Sequence, residues 1–305
     1  MNQKQNVTLV VLAAGMGSRY GGLKQMDAFG PHGETIIDYS LYDAHRAGFT
    51  RVVFIIREYF AEAFKEVFEP KLKGRMQAEY VFQELHHIPG SYDIPAERDR
   101  PWGTGHAIWV AHDVIDGPFG VINADDYYGP ESYKTLYSFL TTERQPEEYG
   151  VVSYRLDKTL SEHGTVNRGV CERDAEGYLR LIEECKQIGR DGSGMITYPL
   201  EDGTRRILPG DTPVSMNMWG FYPSYFRYFE SQFADFLKKE GQDLKSEFYI
   251  PTLVDHLIRT RERQTRVLYC DAEWFGVTYR EDKPYVSERL SQLIAAGVYP
   301  EKLWN

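Results

Sequence analysis

Basic residues are in short supply. The chain of 305 residues carries 35 Lys and Arg against 45 Asp and Glu, a formal net charge of −10. Nucleic acid and anionic membrane surfaces are held by a cationic face that replaces their counterions, so this balance speaks against both as partners. Cysteine is scarce as well. Cys171, Cys185 and Cys270 stand far apart with no CxxC pair, which argues against a disulfide framework or a cysteine zinc site and suits a reducing, cytoplasmic setting. Long apolar runs are missing too: Val7–Ala14 is too short for a secretory signal core with its cleavage site and far below the ~20 residues that span a bilayer. No internal repeat, low-complexity tract or Pro/Gly/Ser linker divides the chain.

What is present is enough apolar material for a core, at 42% hydrophobic residues, in a length that suits one large domain or two modest ones. Through the first half, short β-branched runs alternate with helical patterns, the mark of βαβ units and a mostly parallel sheet. Val7–Leu12, Arg51–Ile56, Gln77–Phe82 and Phe119–Asn123 read as strands. Glu34–Ala47, Phe60–Phe68 and Gly105–Ile115 read as helices, the first with Ile36, Ile37, Leu41 and Ala44 on one face. After Gly150 the pattern changes to strands at Val151–Arg155, Val166–Glu172 and Tyr178–Glu183, then a hairpin of Met195–Tyr198 and Arg205–Leu208 around Glu201-Asp202-Gly203. Helices return at Tyr225–Lys239, Ile250–Thr260 and Asp282–Ala296. The stretch Glu84–Trp102, with Pro89, Pro95, Pro101 and a charge cluster at Glu97–Arg100, lacks periodicity. A long connection of that kind inside a compact domain reads as a lid.

The richest segment follows the first strand: Leu12-Ala13-Ala14-Gly15-Met16-Gly17-Ser18-Arg19-Tyr20-Gly21-Gly22-Leu23-Lys24-Gln25. Its glycines let backbone N–H groups converge on an anion, and Arg19 and Lys24 add charge. A dinucleotide fingerprint requires a third Gly where Tyr20 stands. A P-loop requires Lys and a hydroxyl after Gly22, where Leu23 and Lys24 stand. A strand ending in paired acids, Asn123-Ala124-Asp125-Asp126, supplies hard oxygen ligands of the kind that hold Mg²⁺ together with phosphates and water. The competing reading of either Asp is a turn or helix cap.

The LAAGxGxR loop with its following Lys-Gln closely resembles the opening signature of GT-A-like nucleotidyltransferases, including the nucleoside-diphosphate-sugar pyrophosphorylases. The resemblance implies an α/β fold, a Rossmann-like three-layer sandwich with a mixed, mainly parallel sheet and an added β-rich sugar-binding lobe. Residues 1–305 then form one domain, with a nucleotide-binding half at 7–150 and an acceptor-binding half plus C-terminal helices at 151–305. It implies that Ala13, Ala14, Gly15, Met16, Gly17 and Ser18 line a nucleoside triphosphate, that Arg19 and Lys24 stabilise charge at the attacked phosphate, and that Asp125 holds Mg²⁺. Gln83 followed by Gly103-Thr104-Gly105-His106-Ala107 resembles the family's base-reading pair, with the 84–102 insertion between its parts; His106 reads as structural in preference to a base.

On the acceptor side, Gly177–Glu184 resembles a hairpin whose Glu and Lys bind sugar and phosphate. Glu184 is in place, but Cys185 stands where Lys is expected and Lys186 is displaced by one position, which on a strand reverses its face unless a bulge intervenes. Asn217 falls where the family's Asn meets sugar hydroxyls; the competing reading is a buried, satisfied amide. Around Trp274, Gly276 occupies the position of a second metal-binding Asp, leaving Asp271 or Asp282 as substitutes, or a single protein carboxylate. The implied activity is Mg²⁺-dependent transfer of a nucleotidyl group from a nucleoside triphosphate to a sugar 1-phosphate. Alternatives are a cytidylyltransferase acting on a phosphorylated alcohol, choline phosphate or a phosphonate, and a non-catalytic nucleotide-sugar binding protein.

Overall fold

A computed structural model describes residues 6–15, 26–142, 148–161, 164–200, 202–277 and 280–304. In chain order the elements are β1 (Thr8–Leu12), α1 (Ile36–Ala47), β2 (Arg51–Ile56), α2 (Ala61–Leu72), β3 (Gln77–Phe82), α3 (Thr104–Trp109), β4 (Phe119–Asn123), β5 (Asp126–Tyr127), α4 (Pro130–Thr141), β6 (Tyr149–Arg155), β7 (Val166–Arg173), β8 (Leu179–Arg190), β9 (Ile196–Pro199), β10 (Arg205–Ile207), β11 (Pro213–Phe221), α5 (Ser224–Glu240), α6 (Ile250–Arg259), β12 (Thr265–Tyr269), β13 (Phe275–Gly276) and α7 (Lys283–Ala295).

The central sheet runs β3-β2-β1-β4-β11-β6-β12. Only β11 is reversed within that order: it is antiparallel to β4 and β6, whereas β1, β2, β3 and β4 pair in parallel and β12 is parallel to β6. Buried strands with branched side chains on both faces require cover on both sides. On β1, Leu9 and Val11 face a core built with Leu41 of α1, Phe64 and Phe68 of α2 and Leu136 of α4, whereas Val10 faces one built with Ile108 of α3, Phe229 of α5 and Leu253 of α6. This period-two split makes the three-layer sandwich. A second group of strands, β10-β9-β8-β7, leaves the same sheet through β11 and forms the added β-rich lobe.

Local chemistry fixes the elements nearest the carboxyl ends of the strands. Thr35 caps α1: its Oγ1 accepts the Asp38 N–H at 3.2 Å and Asp38 Oδ2 accepts the Thr35 N–H at 2.7 Å, a reciprocal pair worth about 1 kcal/mol. The chain end is tied back to the same helix, with Tyr299 Oη donating to Asp43 at 2.6 Å and Trp304 Nε1 donating to Asp38 at 2.8 Å.

The sequence pattern matches β2, β3 and β4 in full and misses elsewhere for identifiable reasons. β8 continues to Arg190, beyond the expected end at Glu183, because its polar second half acquires strand geometry from β7 and β9 alongside it. α3 ends at Trp109, short of the expected Ile115. α2 continues past Phe68 to Leu72, with Pro70 in its last turn. The helix α4 and the strand β12 have no counterpart in the sequence reading.

Candidate active site

β1 has β2 on one side and β4 on the other, so successive crossovers part above its carboxyl end and leave a crevice there, the usual place for a ligand in an open α/β sheet. A cavity of about 890 Å³ occupies it, with Ala14 and Gly15 beyond β1, Gln83 beyond β3, Gly103 and Thr104 at the start of α3, and Asn123 and Asp125 beyond β4 on its walls. Four separate chain segments predicted from motifs thus meet in one space. Ala13 lies beneath it, fully buried and donating its N–H to Ile55 O at 2.8 Å. Met16, Gly17, Ser18, Arg19 and Lys24 lie outside the described residues.

Gly103 is held at φ 97, and a Cβ there would come within 2.7 Å of the Phe248 carbonyl. Both facts require glycine. Thr104 Oγ1 accepts the Ile250 N–H at 3.1 Å, which anchors α6 to the rim. The Gln83 side chain is buried, and its Nε2 donates to Gly103 O at 3.1 Å and lies 3.2 Å from His106 Nδ1.

The 84–102 insertion forms a pinned wall, not a hinged flap. Trp102 is fully buried, and its Nε1 donates to Leu85 O at 3.0 Å. The Arg98 guanidinium lies 3.5 Å from the Trp102 ring centroid and donates to Arg100 O, Asp243 O, Pro101 O and Ser246 O. Desolvation pulls its pKa below the usual arginine value despite the neighbouring acids Glu247 and Asp243. Glu97, Asp99 and Arg100 of this wall line the same cavity as Gln83, opposite Lys245 and Glu247 of the loop it is bound to. The insertion therefore shapes the space around Gln83, Gly103 and Thr104.

Beyond β4, Asp125 lines the cavity and its carbonyl accepts the Val277 N–H at 3.3 Å. Asp126 turns inward. Its Oδ2 accepts from Asn123 Nδ2 at 2.9 Å, and a Cβ on Gly276, its partner in the β5–β13 pair, would lie 2.5 Å from its Oδ1. The room that a side chain at 276 would need is filled by the Asp126 carboxylate. Of the two proposed substitutes for a second metal carboxylate, Asp271 is paired to Lys158 at 2.7 Å beside a different pocket, and Asp282, next to α7, does not line the Asp125 cavity. Among the described residues no third His, Cys, Asp or Glu completes a metal cage with the Asp pair. One carboxylate at the cavity with another beside it still fits Mg²⁺, which takes its remaining oxygens from phosphates and water.

Glu184, Lys186 and Asn217, expected on the acceptor side, do not line this cavity. Asn217 sits at φ 62 in a bulge of β11, where the strand's neighbour changes from β7 to β4. Its amide is engaged inside the protein, Nδ2 donating to Asn123 Oδ1 at 2.7 Å and Oδ1 accepting from Trp219 Nε1 at 3.0 Å. Glu184 and Lys186 are exposed on β8 to either side of the buried Cys185, so the one-residue displacement does reverse the face; a bulge follows, where Gln187 has φ 55, its N–H bonds Asn167 Oδ1 at 3.0 Å, and the β7–β8 register shifts. The mass of protein around Glu184 raises its pKa although the side chain reaches solvent, and Arg168 and Lys186 pull it back. Cys185 is buried and faces Arg168 across the ladder. Arg168, which no motif singles out, lies 4.8 Å from the Trp274 ring centroid, and burial lowers its pKa to about 10 against the pull of Asp126 and Glu184. Only the strand register reveals it, by setting a cation opposite the position where the motif lacks one.

Comparison with known proteins agrees with this geometry. The family model described as "Nucleotidyl transferase" matches residues 8–175, more than half of the chain, and the protein belongs to that family of enzymes. Among solved structures, the inositol-1-phosphate CTP transferase from T. maritima aligns with a TM-score of 0.63 at 14% identity, covering 96% of this chain and 98% of the other. A UDP-glucose pyrophosphorylase complexed with UDP-glucose aligns at 0.61 and 15%, covering 93% and 98%. At those identities the likeness establishes the nucleotidyltransferase fold and no more. A search by sequence among the curated proteins finds no match.

Proposed function

We propose that the protein transfers a nucleotidyl group from a nucleoside triphosphate to a sugar 1-phosphate, releasing pyrophosphate and giving a nucleoside-diphosphate sugar. An oxygen of the acceptor phosphate attacks the α-phosphorus, a new P–O bond forms, the bond to the β-phosphate breaks, and pyrophosphate leaves with the electron pair. No general base is required, because a phosphate monoester is already ionised near neutral pH. Catalysis is then positioning and charge stabilisation. Gln83, Gly103 and Thr104 hold the base; Gly15 and the loop through Ser18 hold the triphosphate; Arg19 and Lys24 balance charge at the attacked and leaving phosphates. Asp125 would hold Mg²⁺, with Asp126 supporting it, and the bound ion supplies charge neutralisation on the phosphate oxygens. Glu184 and Lys186 face the acceptor side, and Asn217 holds the Asn123 side chain of the cavity wall. The reading is carried by the meeting of Gly15, Gln83, Gly103, Thr104 and Asp125 around one cavity.

A second reading changes only the acceptor, to a phosphorylated alcohol, choline phosphate or a phosphonate coupled to CTP. It is favoured by the buried Cys185 at the position of the expected acceptor-binding Lys. Pyrophosphate release, measured for each nucleoside triphosphate against a panel of sugar 1-phosphates and phosphorylated alcohols with Mg²⁺, separates the two. Turnover with a sugar 1-phosphate supports the first, turnover confined to phosphorylated alcohols supports the second, and nucleotide binding with no pyrophosphate from any pair sinks both.

A further inference from the structure

The Gln83 amide has both ends within reach of a base in principle, but its surroundings leave one available. Gln83 is 5% exposed and His106 is fully buried. His106 Nε2 faces the backbone carbonyl of His87. A carbonyl only accepts, so Nε2 carries the ring proton. Burial depresses the imidazole pKa to about 4, with the His87 hydrogen bond opposing that shift. The ring is therefore neutral near pH 7 and its Nδ1 is a bare acceptor.

Gln83 then faces two acceptors at once, His106 Nδ1 at 3.2 Å and Gly103 O at 3.1 Å. Only an NH₂ group satisfies both, and doing so uses both of its protons. The end of the amide left for a ligand is Oε1. The ring that enforces this has little freedom, because it stacks on Phe233 at 5.7 Å and 16° and on Trp109 at 6.1 Å and 24°. Its proton is set by His87, a residue of the pinned insertion, whose own Nδ1 lies 3.1 Å from Phe82 O at the end of β3.

We propose that His106 is a positioning residue for base selection: it makes the Gln83 amide present only its acceptor end to the nucleobase, which selects an imide base, uracil or thymine, whose N3 carries the matching proton. The inference rests on the proposed nucleotidyl transfer and deepens it by naming the class of nucleotide. Cytosine presents a bare N3, so placing it there sets acceptor against acceptor at a buried amide, the arrangement a buried polar group rejects most strongly. An amide free to turn would accept either pyrimidine. The insertion thus acts on base choice through a chain of three groups: the His87 carbonyl, the His106 ring and the Gln83 amide.

The test is equilibrium binding of UTP, CTP and 3-methyl-UTP to the full chain, wild type and His106→Phe, a substitution that keeps the aromatic stack and removes both ring nitrogens. The wild type should bind UTP about 100-fold more tightly than CTP or 3-methyl-UTP. His106→Phe should bring UTP and CTP to within about threefold of each other, chiefly by weakening UTP. Equal wild-type affinity for UTP and 3-methyl-UTP, a wild-type preference for CTP, or an unchanged UTP:CTP ratio in His106→Phe overturns the proposal. Should that variant fail to fold, ¹⁵N chemical shifts of the wild-type His106 ring between pH 6 and 8 decide: a protonated Nε2 with a bare Nδ1 supports it, and a protonated Nδ1 overturns it. Pyrophosphate release tests the parent reading separately. An inverted base preference with turnover intact overturns only the present inference, and the absence of both binding and turnover overturns both.

Discussion

The two halves of the molecule are built to different standards of fixity. Around the cavity, side chains and backbone are over-determined: Gly103 admits no Cβ against Phe248, Gln83 is held by two partners, and Arg98 locks the adjoining wall with a fan of donors to backbone carbonyls. On the β-rich lobe, Glu184 and Lys186 are exposed beside a bulge, and Arg168 on the neighbouring strand stands opposite Cys185, where motif logic expects a cation. A nucleotide offers the same triphosphate in every case and rewards a preorganised site. Under the proposed function acceptors differ, and the lobe that would meet them departs from the motif at Cys185 and Lys186. Among the described residues, the cavity wall is pinned by buried contacts, whereas the candidate residues Glu184 and Lys186 on β8 reach solvent.

The comparison can be broken in descending order of effect. Asp125→Ala should reduce turnover by about 10³-fold or more, the order expected when charge stabilisation at a phosphoryl centre is lost, while thermal unfolding stays within a few degrees of wild type. A near-normal rate would remove Asp125 from the site. Arg98→Ala should cost about 3–5 kcal/mol of stability, since it leaves buried carbonyls unpaired and empties the space over Trp102. In the surviving protein it should raise the nucleotide KM and leave the acceptor KM within about twofold; an effect confined to the acceptor would show that the wall serves the other half. Glu184→Gln should act in the opposite sense, raising the acceptor KM about three- to tenfold, as one exposed polar contact does, with the nucleotide KM unchanged. Parallel changes in both KM values would erase the distinction between the halves.

The same contrast explains what was legible in the sequence. The strands β2 and β4 show as apolar runs because both of their faces are buried, and the half-buried edge strand β3 shows by its Tyr80-Val81-Phe82 end; Gly103 and Asp125 show because a close backbone approach and a strand-end carboxylate leave few other residue types possible. The roles of Arg98, His106 and Arg168 did not show. Each depends on a partner distant in the chain, Arg98 on Ser246, His106 on His87 and Gln83, and Arg168 on Trp274, and no periodicity reports such a meeting. The 84–102 stretch reads as a lid because it lacks periodicity, yet irregular backbone becomes rigid when a buried guanidinium satisfies its carbonyls. The inward turn of Asp126 and its contact with the space above Gly276 needed the β5–β13 pairing to be seen.

Under the proposed function the nucleotide's base lies in this cavity against Gln83. The most direct measurement is the dissociation constant of a non-hydrolysable UTP analogue, with Mg²⁺ and no acceptor, for wild type and Gln83→Ala side by side. Loss of a buried hydrogen bond to the base should weaken binding by about 10- to 50-fold with the fold retained. Equal affinity in the two proteins would place the base elsewhere and contradict the account.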